Sequence, residues 1–186
     1  PRRDVKPLAK ELIRKFGSFA GVVNAPLEEL MLVKGVKENT AAVLRIVREC
    51  SVRSSWQSLK GMGAPVISDF DAMVDYCRSA MAYQTEFRII FLNSKLYVIG
   101  EEIQQRGTVD QVAIHPREVI KSAMMHGASA MILVHNHPSG IVTPSKADME
   151  ITKRIKEAAE AVSIRLFDHL IISKSSVYSF HNQGFV

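Results

Sequence analysis

The sequence predicts an α+β fold, in which a small all-α part precedes a mixed α/β domain whose sheet is flanked by helices. Three observations carry this. From Lys6 to Arg53 the apolar residues recur at helical spacings. The stretch "SLKGMGAPVIS", residues 58–68, has two glycines and a proline and separates that part from the rest. Beyond it, β-rich runs and amphipathic stretches mix without strict βαβ alternation, which suits a mixed sheet better than a doubly wound parallel one. The expected units are residues 1–60, helical, and residues 66–186, mixed.

The first unit should hold four or five short helices, broken at "FGSF", "NAPLEE" and "VKGVKEN". In the second, "SDFDAMVDYCRSAMAY" reads as a helix capped by Ser68 or Asp69, with Phe70, Met73, Val74, Cys77 and Met81 as its apolar stripe. "FRIIFLNSKLYVIGEEI" gives two antiparallel strands joined through Asn93, Ser94 and Lys95. "HPREVIKSAMMHGAS" has Pro116 at the first helical position and Gly127 just past the end, burying Val119, Ile120, Ala123 and Met124. "SAMILVHNH" is a buried strand and "TPSKADMEITKRIKEAAEAV" an amphipathic helix starting near Pro144. "SIRLFDHLIIS" and "VYSFHN" close the chain as strands.

With 47% hydrophobic residues the 186-residue chain can bury a sizeable core, so disorder is not expected. It lacks an apolar run of about 18 residues, and "PRRDVKPLAKEL" lacks the apolar core of a signal peptide, so a cytoplasmic protein without a membrane partner is expected. Cys50 and Cys77 stand far apart without a CxxC partner and read as small buried hydrophobes. Charge is uneven: residues 1–60 carry twelve Lys/Arg against six Asp/Glu, while residues 61–186 carry twelve against thirteen. The whole excess of the +5 chain thus lies in the first unit, which makes that unit the candidate for a polyanion partner.

The stretch "VHNHPSGIVTPSKADMEI", residues 134–151, holds the chemistry. On a strand, His135 and His137 share a face and Asn136 points away. The turn at Pro138, Ser139 and Gly140 lets the chain leave the sheet, and Asp148 returns within the first two turns of the next helix. Two imidazoles and a carboxylate, with a fourth position for water, form the ligand set of a catalytic zinc site. Ser145-x-x-Asp148 also matches a helix capping box, which needs no metal.

His135-x-His137-Pro138 followed by Ser145-x-x-Asp148 resembles the JAMM metalloprotease motif of the JAB/MPN fold. "HNHPSG" with "PSKAD", preceded by "HPREV" and followed by "FDHLIIS", resembles the bacterial RadC family over roughly residues 66–186. The resemblance implies an MPN/JAB-type, cytidine-deaminase-like sheet. It implies Zn2+ held by His135, His137 and Asp148, with Ser145 positioning or stabilising groups at the metal. It implies hydrolysis of a peptide or isopeptide bond in a peptide or protein substrate, with a glutamate on an early strand as base. Glu101 and Glu102 are adjacent in "YVIGEEIQQRGT" and face opposite sides of a strand, so only one can face the zinc. The RadC-type pattern sets the acid six residues before the Thr of "RGT", which matches Glu102, with Glu101 as the alternative. The traditional RadC label implies another function, a DNA-repair-associated protein whose MPN part is a non-catalytic scaffold.

Among other polar residues, His115 and Arg117 are candidates to cap a helix or bind a carboxylate. One of Asp168 and His169, in an apolar strand, must face the interior and find a partner, and a bond to a zinc ligand is one option. His126, beside Gly127, reads as a cation at a helix C-terminus, and His181 is left without a role. In residues 1–60, "LEELMLVKGVKENTAAVLRIV" has the outline of a helix-hairpin-helix, whose turn and following helix N-terminus offer N–H groups to a DNA phosphate. Lys37 stands where the usual motif has a second glycine, exchanging close backbone approach for charge.

Overall fold

The computed structural model describes residues 4–61, 63, 65–81, 85–106, 114–137 and 139–186, with the side chains of Ile67, Asp69 and Arg106 excepted. Gly107 and Thr108 of "RGT", Pro138 of the motif, Met62 and Ala64 of the Gly/Pro-rich stretch, Ala82 and Tyr83 of the expected helix, and the Asp69 cap lie outside the described residues. The chain divides into two compact units, Pro1–Ser55 and Trp56–Val186.

The first unit contains α1 (Lys6–Phe16), α2 (Phe19–Asn24), α3 (Leu27–Met31) and the first part of α4 (Glu38–Gly61). Three helices are short as expected, but α4 runs 24 residues, through Arg53 and into the Gly/Pro-rich stretch. Ser18 caps α2 by accepting the Gly21 N–H at 2.9 Å. Gly21 is required there, because a Cβ would stand 2.0 Å from the Phe16 carbonyl oxygen. Leu12, Val22, Ala25, Leu30, Val33, Val36 and Ala41 form the core. Between α3 and α4 the chain turns at Gly35, with φ at 100°, and leaves Lys34 and Lys37 exposed.

The second unit holds α5 (Phe70–Met81), β1 (Glu86–Leu92), β2 (Val98–Arg106), α6 (Pro116–Met125), β3 (Ala130–Asn136), α7 (Lys146–Glu160), β4 (Arg165–Ile172) and β5 (Val177–Ser179). The five strands form one sheet in the order β2-β1-β3-β4-β5. Only β3 and β4 are parallel, because α7 crosses between them; the other neighbours are antiparallel. This is the mixed sheet flanked by helices that the patterning predicts. On one face Phe87, Ile89, Phe91, Met131 and Leu133 pack under Val119 and Ala123 of α6 and Ile155 and Ala159 of α7. The opposite face meets α5, where Met73, Val74, Tyr76, Cys77, Ala80 and Met81 are buried.

The β1–β2 hairpin turns at Asn93, whose side-chain oxygen accepts the N–H groups of Lys95 and Tyr97 at 2.9 and 3.0 Å. The Ser68 hydroxyl donates to the Pro65 carbonyl at 2.6 Å. In α6 the inward face includes Ser122, while Met124, expected inside, is 60% exposed. Cys50, on α4, is likewise exposed, contrary to expectation. Cys77 is buried as expected, and burial pushes its thiol up to about 12. Among the described residues no helix is long and apolar enough to cross a membrane.

Candidate metal centre

β3 delivers the two histidines to the end of the sheet. His135 pairs with Phe87 on β1 and Ile171 on β4, so its ring lies on the α6–α7 face, stacked 6.2 Å from the Phe87 ring. Asn136 points to the other face and ties down the strand end. Its side-chain oxygen accepts the Glu86 N–H at 3.0 Å, and its amide donates to the Met81 carbonyl at 2.8 Å. The His137 N–H then donates to the Ile172 carbonyl at 2.8 Å, which holds the second histidine in line with the sheet.

α7 brings the carboxylate. Ser145 is its N-cap, so the helix starts at Lys146, after Pro144. Ser145 Oγ accepts the Asp148 N–H at 3.1 Å, and the Ser145 N–H donates to Asp148 Oδ2 at 2.7 Å, which completes a capping box. The same carboxylate puts Oδ1 at 3.3 Å from His135 Nε2 and Oδ2 at 3.9 Å from His137 Nε2. Cap and cluster are therefore not rivals: the cap aims the carboxylate at the histidines.

The two Nε2 atoms stand 3.0 Å apart, and one donor atom from each of His135, His137 and Asp148 lies within 4.8 Å of the others. Zinc bonds of about 2.0–2.1 Å at a tetrahedral angle need donors about 3.3 Å apart. This set of two nitrogens and one oxygen fits zinc in both spacing and chemistry. His137 Nδ1 donates to the Ile141 carbonyl at 2.7 Å, so in the neutral ring Nε2 carries a lone pair.

Register decides between the paired glutamates. Glu102 pairs with Ile89, which pairs with Leu133, so Glu102 shares the face of His135, two residues from it along β3. Its carboxylate accepts from Ser122 Oγ at 2.8 Å and from Gln104 Nε2 at 2.9 Å. Glu101 pairs with Ile90 and faces α5, where it accepts from Tyr76 Oη and Arg88 Nη1, both at 2.5 Å. Arg88 also bridges Glu86 at 2.5 Å. Glu101 thus belongs to a buried structural ion network and Glu102 to the site face.

Sequence reasoning passed over Ser122, Gln104 and Thr152. Thr152 could have been found, since it stands four residues after Asp148 and so on the same helix face. Nothing in the sequence pointed to the Ser122–Glu102 contact, which joins α6 to β2.

Both Asp168 and His169 are buried, on opposite faces, and His169 is the one turned to the site: its Nε2 lies 2.9 Å from His135 Nδ1 and its Nδ1 lies 2.6 Å from Thr152 Oγ1. Asp168 faces away and accepts from Ser179 Oγ and from the His169 and His181 N–H groups. His115 occupies the N-cap position of α6 without a side-chain cap bond, and Arg117 lies 3.9 Å from Glu118. His126 Nδ1 meets the Ser122 carbonyl at the end of α6 at 2.9 Å, and its ring stacks on Phe91. The His181 ring stacks on Phe167.

Burial, with His137 adding to it against the pull of Asp148, brings the His135 imidazole down to about 4. Burial, with His135 and His137 adding to it, holds His169 well below the ordinary histidine range. Unfolded, both rings titrate near 6.5. Below that pH the unfolded chain binds protons that the folded metal-free chain refuses. Stability is therefore full above about pH 6.5 and falls as pH drops toward the folded values, by about 1.4 kcal/mol per pH unit for each such ring. Urea midpoints of the metal-free chain at pH 7 and pH 5 should show this loss; equal midpoints would refute it.

A mixed sheet with two imidazoles at one strand end, and a capping aspartate on the crossover helix, defines a domain that gathers a His-His-Asp cluster. The family model described as the RadC-like JAB domain matches residues 67–185. The chain belongs to the RadC-like JAB domain family. It is similar to a UPF0758 protein of Ruegeria pomeroyi, 47% identical over 188 residues that span 100% of this chain and 83% of the relative. It is equally similar to a UPF0758 protein of Rhodobacter capsulatus, 47% identical over 186 residues that span 99% of this chain and 86% of the relative.

Proposed function

We propose that the chain is a zinc-dependent hydrolase of peptide or isopeptide bonds. The observation that carries this reading is the convergence of His135 Nε2, His137 Nε2 and the Asp148 carboxylate within 4.8 Å, three donors that would leave a fourth tetrahedral position for water. A bound zinc, which His135, His137 and Asp148 would hold, would act as a Lewis acid that activates water near neutral pH and polarises a carbonyl. Glu102 takes the proton of the attacking water and returns it to the leaving nitrogen, so that an amide and water give a carboxylic acid and an amine. Ser145, whose oxygen accepts from Asp148 N–H, keeps its hydroxyl hydrogen to donate to the developing oxyanion.

The test is turnover of quenched peptides and lysine-linked isopeptides by the zinc-loaded chain. Amine release that stops on chelation and returns with zinc is the expected result. Full zinc occupancy without turnover on either class would make the domain a metal-binding module instead. Exposed Lys34 and Lys37 on either side of the Gly35 turn support a second reading, DNA binding by residues 1–60, which retardation of duplex DNA by the full chain at low salt would test.

A further inference from the structure

We propose that His169 and Thr152 are positioning residues that lock His135 in the tautomer whose Nε2 lone pair faces the site, an inference that rests on the metal reading above. The direction of each hydrogen bond follows from a terminus that can only accept. Thr152 Oγ1 lies 2.5 Å from the Asp148 carbonyl oxygen, and two oxygens this close need a proton between them. The only hydroxyl hydrogen of Thr152 therefore points to that carbonyl. Toward His169 the same oxygen has only lone pairs, so His169 Nδ1 donates across 2.6 Å.

His169 is fully buried, with Phe180 stacked 4.9 Å from it and Phe87 edge-on at 5.8 Å. A neutral imidazole has one N–H, so its Nε2 accepts and His135 Nδ1 donates across 2.9 Å. His135 Nε2 is left with a lone pair, directed at His137 Nε2 and Asp148. His137, whose Nδ1 is tied separately to the Ile141 carbonyl, directs its own Nε2 to the same point, only 3.0 Å away. The relay also closes on itself, because it runs from one donor residue, His135, through His169 and Thr152, to the backbone of another, Asp148. A slip of the α7 register would disturb the carboxylate and the imidazole tautomer together.

The test uses the full chain with His169→Leu, His169→Gln and Thr152→Val, and reads zinc affinity by competition with a chromophoric chelator. In parallel, long-range 1H–15N correlation at pH 8 reads the His135 tautomer in the metal-free chain. His169→Leu should weaken zinc about 10–100-fold and release His135 into a mixture of tautomers. His169→Gln offers an amide oxygen to His135 and an amide N–H to Thr152, and should restore most of both signals. Thermal melts establish which variants fold; should His169→Leu fail, Thr152→Val carries the same prediction in both readouts. Parental affinity in a folded His169→Leu or Thr152→Val chain, with His135 still the Nδ1–H tautomer, would overturn the proposal while leaving the metal centre standing. No zinc on the parent chain would overturn the metal reading, and the tautomer spectra would then decide the relay alone.

Discussion

His137→Ala should abolish stoichiometric zinc while the fold persists. The ring lies just past the end of β3, its side chain 15% exposed, and it contributes one of the three donors that converge among the described residues. Its removal leaves one imidazole and one carboxylate, too few for a four-coordinate site with a single open position. The loss in affinity should exceed the about 10–100-fold that follows removal of an outer hydrogen-bond partner. The core takes Leu133 and Met131 from β3 and not His137, which follows the strand, so the thermal midpoint of the metal-free chain should change little. Mass spectrometry of metal content decides it: about one zinc per chain in the parent and none in the variant. Metal retained in full by the variant would remove His137 from the donor set. No metal in either chain, with zinc supplied, would reduce "HNHPSGIVTPSKAD" to a strand, a turn and a capped helix.

Glu102→Gln should keep zinc and lower turnover about 10²–10⁴-fold, the usual range for loss of a general acid–base. The amide keeps the shape and a carbonyl acceptor for Ser122 but cannot take a proton. Glu101→Gln provides the contrast. It removes charge from the buried group formed with Arg88, Glu86 and Tyr76, so its cost should appear in the urea midpoint, with turnover per folded, zinc-loaded chain unchanged. The reverse pattern, in which Glu101→Gln stops turnover and Glu102→Gln does not, would move the base to the α5 face of the sheet.

Local chemistry made much of this molecule legible in its sequence. Alternation along "LVHNH" put His135 and His137 on one face and Asn136 on the other; Pro116 and Gly127 bracketed α6; Ser145-x-x-Asp148 marked the start of α7. Strand and helix periods, caps and turn residues act over a few neighbours, so a linear reading finds them. The faces of distant elements relative to one another are set by pairing and packing, which no local pattern contains. Alternation showed that Glu101 and Glu102 oppose each other, but only the Ile89–Glu102 register assigned Glu102 to the histidine face. Met124 was as apolar as its buried neighbours, yet the sheet below α6 offered a glutamate, and Ser122 took the inward place. Asp168 and His169 differ by one position, and the parallel pairing of Leu133 with His169 turned the histidine toward His135. What the sequence determined by itself was the set His135, His137 and Asp148 and the elements that carry them. Only the tertiary structure decided which acid, serine and third histidine stand with them, because side-chain direction across a sheet depends on register between segments far apart in the chain.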